Sequence, residues 1–185
     1  MKRRNGYLTA GLILTAVLFA MILLSAFWTP YDPAAMSGGE KLLSPSLCHW
    51  MGTDNFGRDI FSRVMKGAGS TLVIALSTVA IGGSLGLLVG SLTGYFGGRV
   101  DAVLMRFNDA MTAFPSILLG LVFVSILGPG TLNVILALGI LFTPSFARMA
   151  RSAYAACRDV NYVKSVRLMG ASSFRILYVH ILPNT

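Results

Sequence analysis

Charge is what this sequence has least of. Only 12% of its 185 residues are Asp, Glu, Lys or Arg, where a soluble domain carries about a quarter. Acid is the scarcer sign, with seven Asp and Glu against 15 Lys and Arg. No clustered acid pair is available for general acid–base work. There are two cysteines, Cys48 and Cys157, far apart and without a CxxC. No metal-ligand spacing links them to His49 or His180, so no metal site is expected. None of the four lysines sits in a GxxxxGK[ST] loop, which excludes a phosphate-cradling loop of that kind. Gly67-Ala68-Gly69 and Gly128-Pro129-Gly130 lack the rest of a dinucleotide fingerprint. HExxH and GxSxG are absent too. These absences speak against a membrane enzyme and predict neither a catalytic residue nor a cofactor in this chain.

Apolar residues fill the space that charge leaves. They make up 55% of the chain, and the mean hydropathy is +0.71. The net charge of +8 would suggest nucleic acid in a soluble protein. Here the basic residues flank apolar runs, so membrane topology explains them better and no nucleic acid is expected. Residues 8–28 carry no charge, enough to cross a hydrocarbon core of roughly 30 Å. Lys2, Arg3 and Arg4 precede this run, which is too long for a signal h-region and has no clean A-x-A site after it. It reads as a retained first helix, with Phe27, Trp28 and Tyr31 as an interfacial belt.

Residues 29–66 form a polar loop punctuated by Pro30, Pro33, Pro45 and Gly38-Gly39. Thr53 or Asp54 is placed to cap a short helix. Asp54/Arg58 and Asp59/Arg63 are spaced to pair on one helix face. A second span is expected at 70–95, with Gly82, Gly86, Gly90, Gly94 and Gly98 four residues apart. Such a stripe lets another helix approach closely, either as a sliding seam or as static packing. A charged link follows, in which Arg106 is the expected partner of Asp109. Gly128-Pro129-Gly130 then divides an uncharged stretch into spans at 110–127 and 131–150, with Pro115 and Pro144 as kinks.

Four spans put both termini on one side. Eleven Lys and Arg fall there and four on the other, so the termini are expected in the cytoplasm of a multi-pass membrane protein. The segment "YVKSVRLMG" reads as a short helix closed by Gly170. Ser172 or Ser173 can cap a second helix, stopped by Pro183. Val163, Val166, Leu168 and Met169 lie among Lys164, Arg167 and Arg175. That mixture suits a helix inserted in a partner's groove and equally a helix lying on anionic lipid.

"YVKSVRLMGASSFRILYVHILPN" resembles the EAA loop of ABC importer permeases, although Ser165-Val166 stands where that family often has two alanines. "HWMGTDNFGRDIFSRV" resembles the GTDxxGRDxxSR signature of the dipeptide, oligopeptide and nickel branch through Gly52, Thr53, Asp54, Gly57, Arg58, Asp59, Ser62 and Arg63. "YFGGRVDAVLMRFNDAMTAFPSILL" and "LGPGTLNVILAL" also fit that branch. The resemblance implies an all-α, polytopic integral membrane protein with the type I ABC importer transmembrane fold. It implies an N-terminal region over 1–66 and a partial transmembrane domain over 67–185, with a cytoplasmic coupling loop at 151–185. Tyr162, Val163, Ser165, Val166, Arg167, Leu168, Gly170, Ala171, Ile181 and Pro183 would belong to that coupling loop. Implied partners are a second homologous permease subunit, two cytoplasmic ATP-binding subunits, an extracytoplasmic substrate-binding protein and the lipid bilayer of a prokaryotic cell membrane. The family usually has six spans where this chain shows four. The resemblance therefore implies a truncated chain or a fragment, with a non-transporting membrane scaffold as the alternative.

Overall fold

The computed structural model describes residues 6–36 and 41–184. Lys2, Arg3, Arg4, Gly38 and Gly39 lie outside the described residues. Among the described residues seven α-helices follow one another: α1 (Gly6–Phe27), α2 (Ile60–Phe96), α3 (Gly98–Ala113), α4 (Ser116–Leu127), α5 (Thr131–Cys157), α6 (Asn161–Leu168) and the single turn α7 (Ser173–Arg175). A π-helical stretch, Ile176–Ile181, and a 3-10 turn, Leu182–Asn184, complete the described chain. Among the described residues the sole β pairing recorded outside named strands is the isolated Thr53–Asp59 bridge. The protein is all-α and integral to the membrane. Two compact units divide it, Met1–Val73 and Ile74–Thr185.

In the first unit, α1 has 22 residues without charge, about 33 Å at 1.5 Å per residue. Its leucines, valines and phenylalanines are mostly exposed, as lipid-facing side chains would be, and Ser25 is its one buried residue among those described. A Cβ on Gly69 would lie 3.0 Å from Ser25 Oγ, so the two helices nearly touch there. α2 starts at Ile60 rather than at the expected residue 70, because Asp59 caps it: Asp59 Oδ2 accepts from the Ser62 amide at 2.7 Å. The cap is therefore Asp59 and not Thr53 or Asp54.

In the second unit, α2 and α5 pack side by side. Close approaches join Gly82 to Gly139, Gly86 to Thr143 and Phe146, Gly90 to Ala147 and Ala150, and Gly94 to Arg151 and Tyr154. Each step of four along α2 advances the partner by four along α5, so the helices run parallel. Parallel neighbours need a return between them, and α3 with α4 supplies it. The span expected at 110–127 is not one straight helix. Pro115 disfavours helical backbone at the residue before it, and Phe114 is extended at φ −87°, ψ 141°. The α3–α4 pair is bent by 94° at this break. The charged link is itself helical, as α3, and α4 alone has 12 residues, about 18 Å and too short to cross. Among the described residues three helices, α1, α2 and α5, are long and apolar enough to span a membrane, and the bent pair makes a fourth if taken as one broken span.

The turn between α4 and α5 follows the expected Gly-Pro-Gly. Gly128 and Gly130 have φ of +82° and +147°, and Asn133 Nδ2 donates to the Leu127 carbonyl at 2.7 Å. Pro144 lies within α5, and its carbonyl accepts from the buried Asn108 amide of α3 at 3.1 Å. α5 runs seven residues past the expected end at 150, to Cys157.

Candidate functional site

Three features carry the sequence-predicted residues. The first is the signature loop. Leu43 donates to Thr53 Oγ1 at 2.9 Å and accepts from the Thr53 amide at 3.1 Å. Gly52 has φ +73°, its carbonyl accepts from Ile60, and an added Cβ would collide with the Leu43 carbonyl. Gly57, at φ +76°, closes a turn by donating to the Asp54 carbonyl. The Asp54 carboxylate collects four donors: the Phe56 amide at 2.8 Å, the Arg58 amide at 3.0 Å, Arg58 Nε at 2.8 Å and an Arg63 guanidinium nitrogen at 3.1 Å. Arg63 thus pairs with Asp54, not with Asp59 as its spacing suggests. Asp59 is committed elsewhere, to Ser62 and to His49, whose Nδ1 lies 3.0 Å from Asp59 Oδ1. Ser62 Oγ in turn accepts from the Tyr31 amide at 3.1 Å.

Burial pushes both carboxyls up, but hydrogen bonding outweighs it. The Arg58 and Phe56 amides with the Arg58 side chain hold Asp54 below the ordinary carboxylate range. Ser62 and His49 do the same for Asp59. The loop is a clamp with its polar groups engaged by one another. The pairings of His49, whose ring lies 4.6 Å from that of Tyr31, with Asp59 and of Tyr31 with Ser62 gave no sequence signal, because the partners lie 10 and 31 residues away.

The second feature is the glycine seam described above. Gly82, Gly86, Gly90 and Gly94 lie on it, and a Cβ at Gly90 would approach the Ala147 carbonyl and Ala150 Cβ to 2.5 Å. Gly98 does not lie on it. α2 ends at Phe96, Gly97 and Gly98 both have positive φ, and nothing lies within 4 Å of a Cβ built at Gly98. Beside the seam, α3 is tied to α5 by a bidentate Asp101–Arg151 pair at 2.5 and 2.6 Å. Asp109 lies 4.0 Å from Arg148, not beside Arg106 as expected. A cleft of about 520 Å³ lies between α4 and α5, lined by Gly120, Leu121, Val124 and Leu141, with Arg148 and Thr112 also on its wall. Asn108 and this cleft were not legible in the sequence, since both depend on where Pro115 turns the chain.

The third feature is the segment 161–184, folded back on the ends of α2 and α5. Val163, Ile176, Leu177 and Ile181 form one buried cluster with Tyr95 and Tyr154. α6 is closed by a Schellman motif: Gly170 donates to Arg167, Ala171 donates to Val166, and Gly170 has φ +85°. Ser172 Oγ caps the next turn from the Arg175 amide at 3.4 Å. Val163 and Ile181 are buried, and Val166 and Ala171 half-buried. Tyr162, Ser165, Arg167, Leu168, Gly170 and Pro183 are exposed. Val163 and Val166 thus hold the segment down instead of joining its outer face. On the outer side Leu168, Met169 and Phe174 are exposed by 88%, 77% and 72%, and Val179 is exposed as well. Arg167 lies 5.3 Å from the Tyr95 ring centroid, a cation–π contact that fixes the inner edge. Among the described residues no three His, Cys, Asp or Glu side chains gather.

Comparison with known proteins gives one family. Residues 86–185 match the binding-protein-dependent transport system inner membrane component. The "Probable D,D-dipeptide transport system permease protein" of Escherichia coli (strain K12) is 38% identical over 177 residues, covering 94% of this chain and 59% of the relative. A glutathione transport system permease protein of Pectobacterium atrosepticum is 38% identical over 185 residues, covering 97% and 62%. A nickel transport system permease protein of Escherichia coli (strain K12) is 39% identical over 171 residues, covering 92% and 62%. The chain spans 59% to 62% of the length of these curated relatives.

Proposed function

The chain belongs to the family of binding-protein-dependent transport system inner membrane components, and from that premise we propose that it is a permease subunit of an ATP-driven importer of peptides or nickel. The cargo class follows the relatives, whose names specify D,D-dipeptides, glutathione and nickel. ATP binding and hydrolysis belong to two cytoplasmic partner subunits. A second homologous permease completes the pathway, and an extracytoplasmic binding protein delivers the substrate. Both described ends face the cytoplasm, on the side with eleven of the Lys and Arg residues.

One observation carries the reading. Segment 161–184 divides its largest apolar side chains between a buried anchor and an exposed side. Val163, Ile176, Leu177 and Ile181 anchor it to the ends of α2 and α5, while Leu168, Met169 and Phe174 project outward. A helix that only rested on lipid would have no need of a buried anchor cluster. A stiff projection rooted in two membrane helices suits the transfer of a rigid-body motion from a partner. The signature clamp keeps the start of α2 fixed.

The test is a disulfide cross-link. In full-length permease with Cys48→Ser and Cys157→Ser, Met169→Cys should cross-link to a cysteine in the groove of the ATPase subunit within native membranes. The same cysteine placed at Lys41 should not. Cross-linking at neither position, in a complex that still transports, contradicts the assignment.

A further inference from the structure

Winding changes along segment 173–184. Ile176–Ile181 is π-helical, and the Leu182 amide donates to the Leu177 carbonyl, a step of five residues. Pro183 supplies part of the cause. In α-helical winding its ring would press on the Val179 carbonyl, and its missing N–H would leave that carbonyl without a donor. A wider turn ahead of the ring relieves the pressure.

The remaining hold comes from α5. Tyr154 is fully buried, and its hydroxyl donates to the same Leu177 carbonyl at 3.2 Å. That carbonyl thus receives both the π-helical amide and the phenol. In an α-helical register the Ile181 amide would serve it instead, and side chains on either side of the step would rotate by about 100° relative to each other. Tyr154 also faces the seam: a Cβ at Gly94 would lie 2.7 Å from Tyr154 Cβ. One residue therefore touches α2 through its Cβ and the loop through its hydroxyl.

Resting on the reading of 161–184 as the ATPase contact, we infer that Tyr154 is a positioning residue that holds the loop in its π register and passes α2–α5 movement to it. The hydroxyl fixes where Leu177 lies, and with it the aim of the outer face at Leu168, Met169 and Phe174. The ring serves the core; the hydroxyl serves the register.

Tyr154→Phe separates these roles in the assembled, full-length transporter. Tyr95→Phe is the control, since it removes a hydroxyl from the same buried cluster without touching the Leu177 carbonyl. Tyr154→Phe should retain the ATPase subunit at the wild-type ratio, lose at least threefold of substrate-stimulated over basal hydrolysis, and speed hydrogen exchange at the Leu182 amide about fivefold, the effect of one lost hydrogen bond. Tyr95→Phe should change none of these. Unchanged stimulation and exchange in Tyr154→Phe overturns the positioning role, as does an equal loss in Tyr95→Phe. A wild-type complex that holds no ATPase through this loop overturns the underlying reading, whatever the exchange rates show.

Discussion

At the residue scale, the signature acids act as structural clamps. Asp59 caps α2 through Ser62 and holds His49, while Asp54 gathers the backbone and both arginines of its turn. Only half of this was legible. The i, i+4 spacing found Asp54–Arg58, but a carboxylate just ahead of a helix prefers the free amides of the first turn to an arginine one turn on. The folded-state pKa of Asp59 is lowered. Its contribution to stability is therefore complete above the unfolded carboxyl value of about 3.9 and disappears as pH falls through the lower folded value. Asp59→Ala should cost about 1 kcal/mol near neutral pH, the usual worth of an N-cap, and should flatten the acid limb of the stability curve. Thermal melts of the purified chain from pH 7 downward read both effects, and an unchanged acid limb would contradict the clamp.

At the element scale, boundaries moved wherever a local residue overrode the apolar run. α2 grew upstream because Asp59 caps it, and the third span broke because Pro115 follows Phe114. The glycine stripe was legible as a pattern, since period four is visible in sequence. Its partner was not, since nothing in the sequence aligns Gly82 with Gly139. Nor was the exclusion of Gly98, which depends on where α2 stops. Gly83 supplies an internal control, because nothing lies within 4 Å of a Cβ built there. Gly86→Leu and Gly90→Leu should each destabilise the fold by about 1–3 kcal/mol through overpacking, whereas Gly83→Leu should be near neutral. Equal losses in yield and melting temperature at all three positions would contradict a specific packing seam.

At the scale of the whole molecule, the all-helical membrane class was readable from composition and run length alone, because lipid leaves few other solutions. The number of crossings was harder to read. The parallel packing of α2 and α5 requires a return, yet that return is broken into α3 and a short α4. Orientation then rests on the distribution of Lys and Arg. Lys41→Cys, in a chain without Cys48 and Cys157, should be labelled from the extracytoplasmic side of intact cells, and labelling only after permeabilisation would reverse the topology. The outer face of segment 161–184 is proposed to dock on an ATPase subunit. The most direct measurement is the amount of that subunit that co-purifies with full-length permease. Leu168→Glu with Met169→Glu should reduce it at least tenfold, while Lys164→Gln with Arg167→Gln should leave it within twofold at physiological salt. Retention by the glutamate variant, with loss in the glutamine variant that deepens as salt is raised, would instead identify a helix held on anionic lipid.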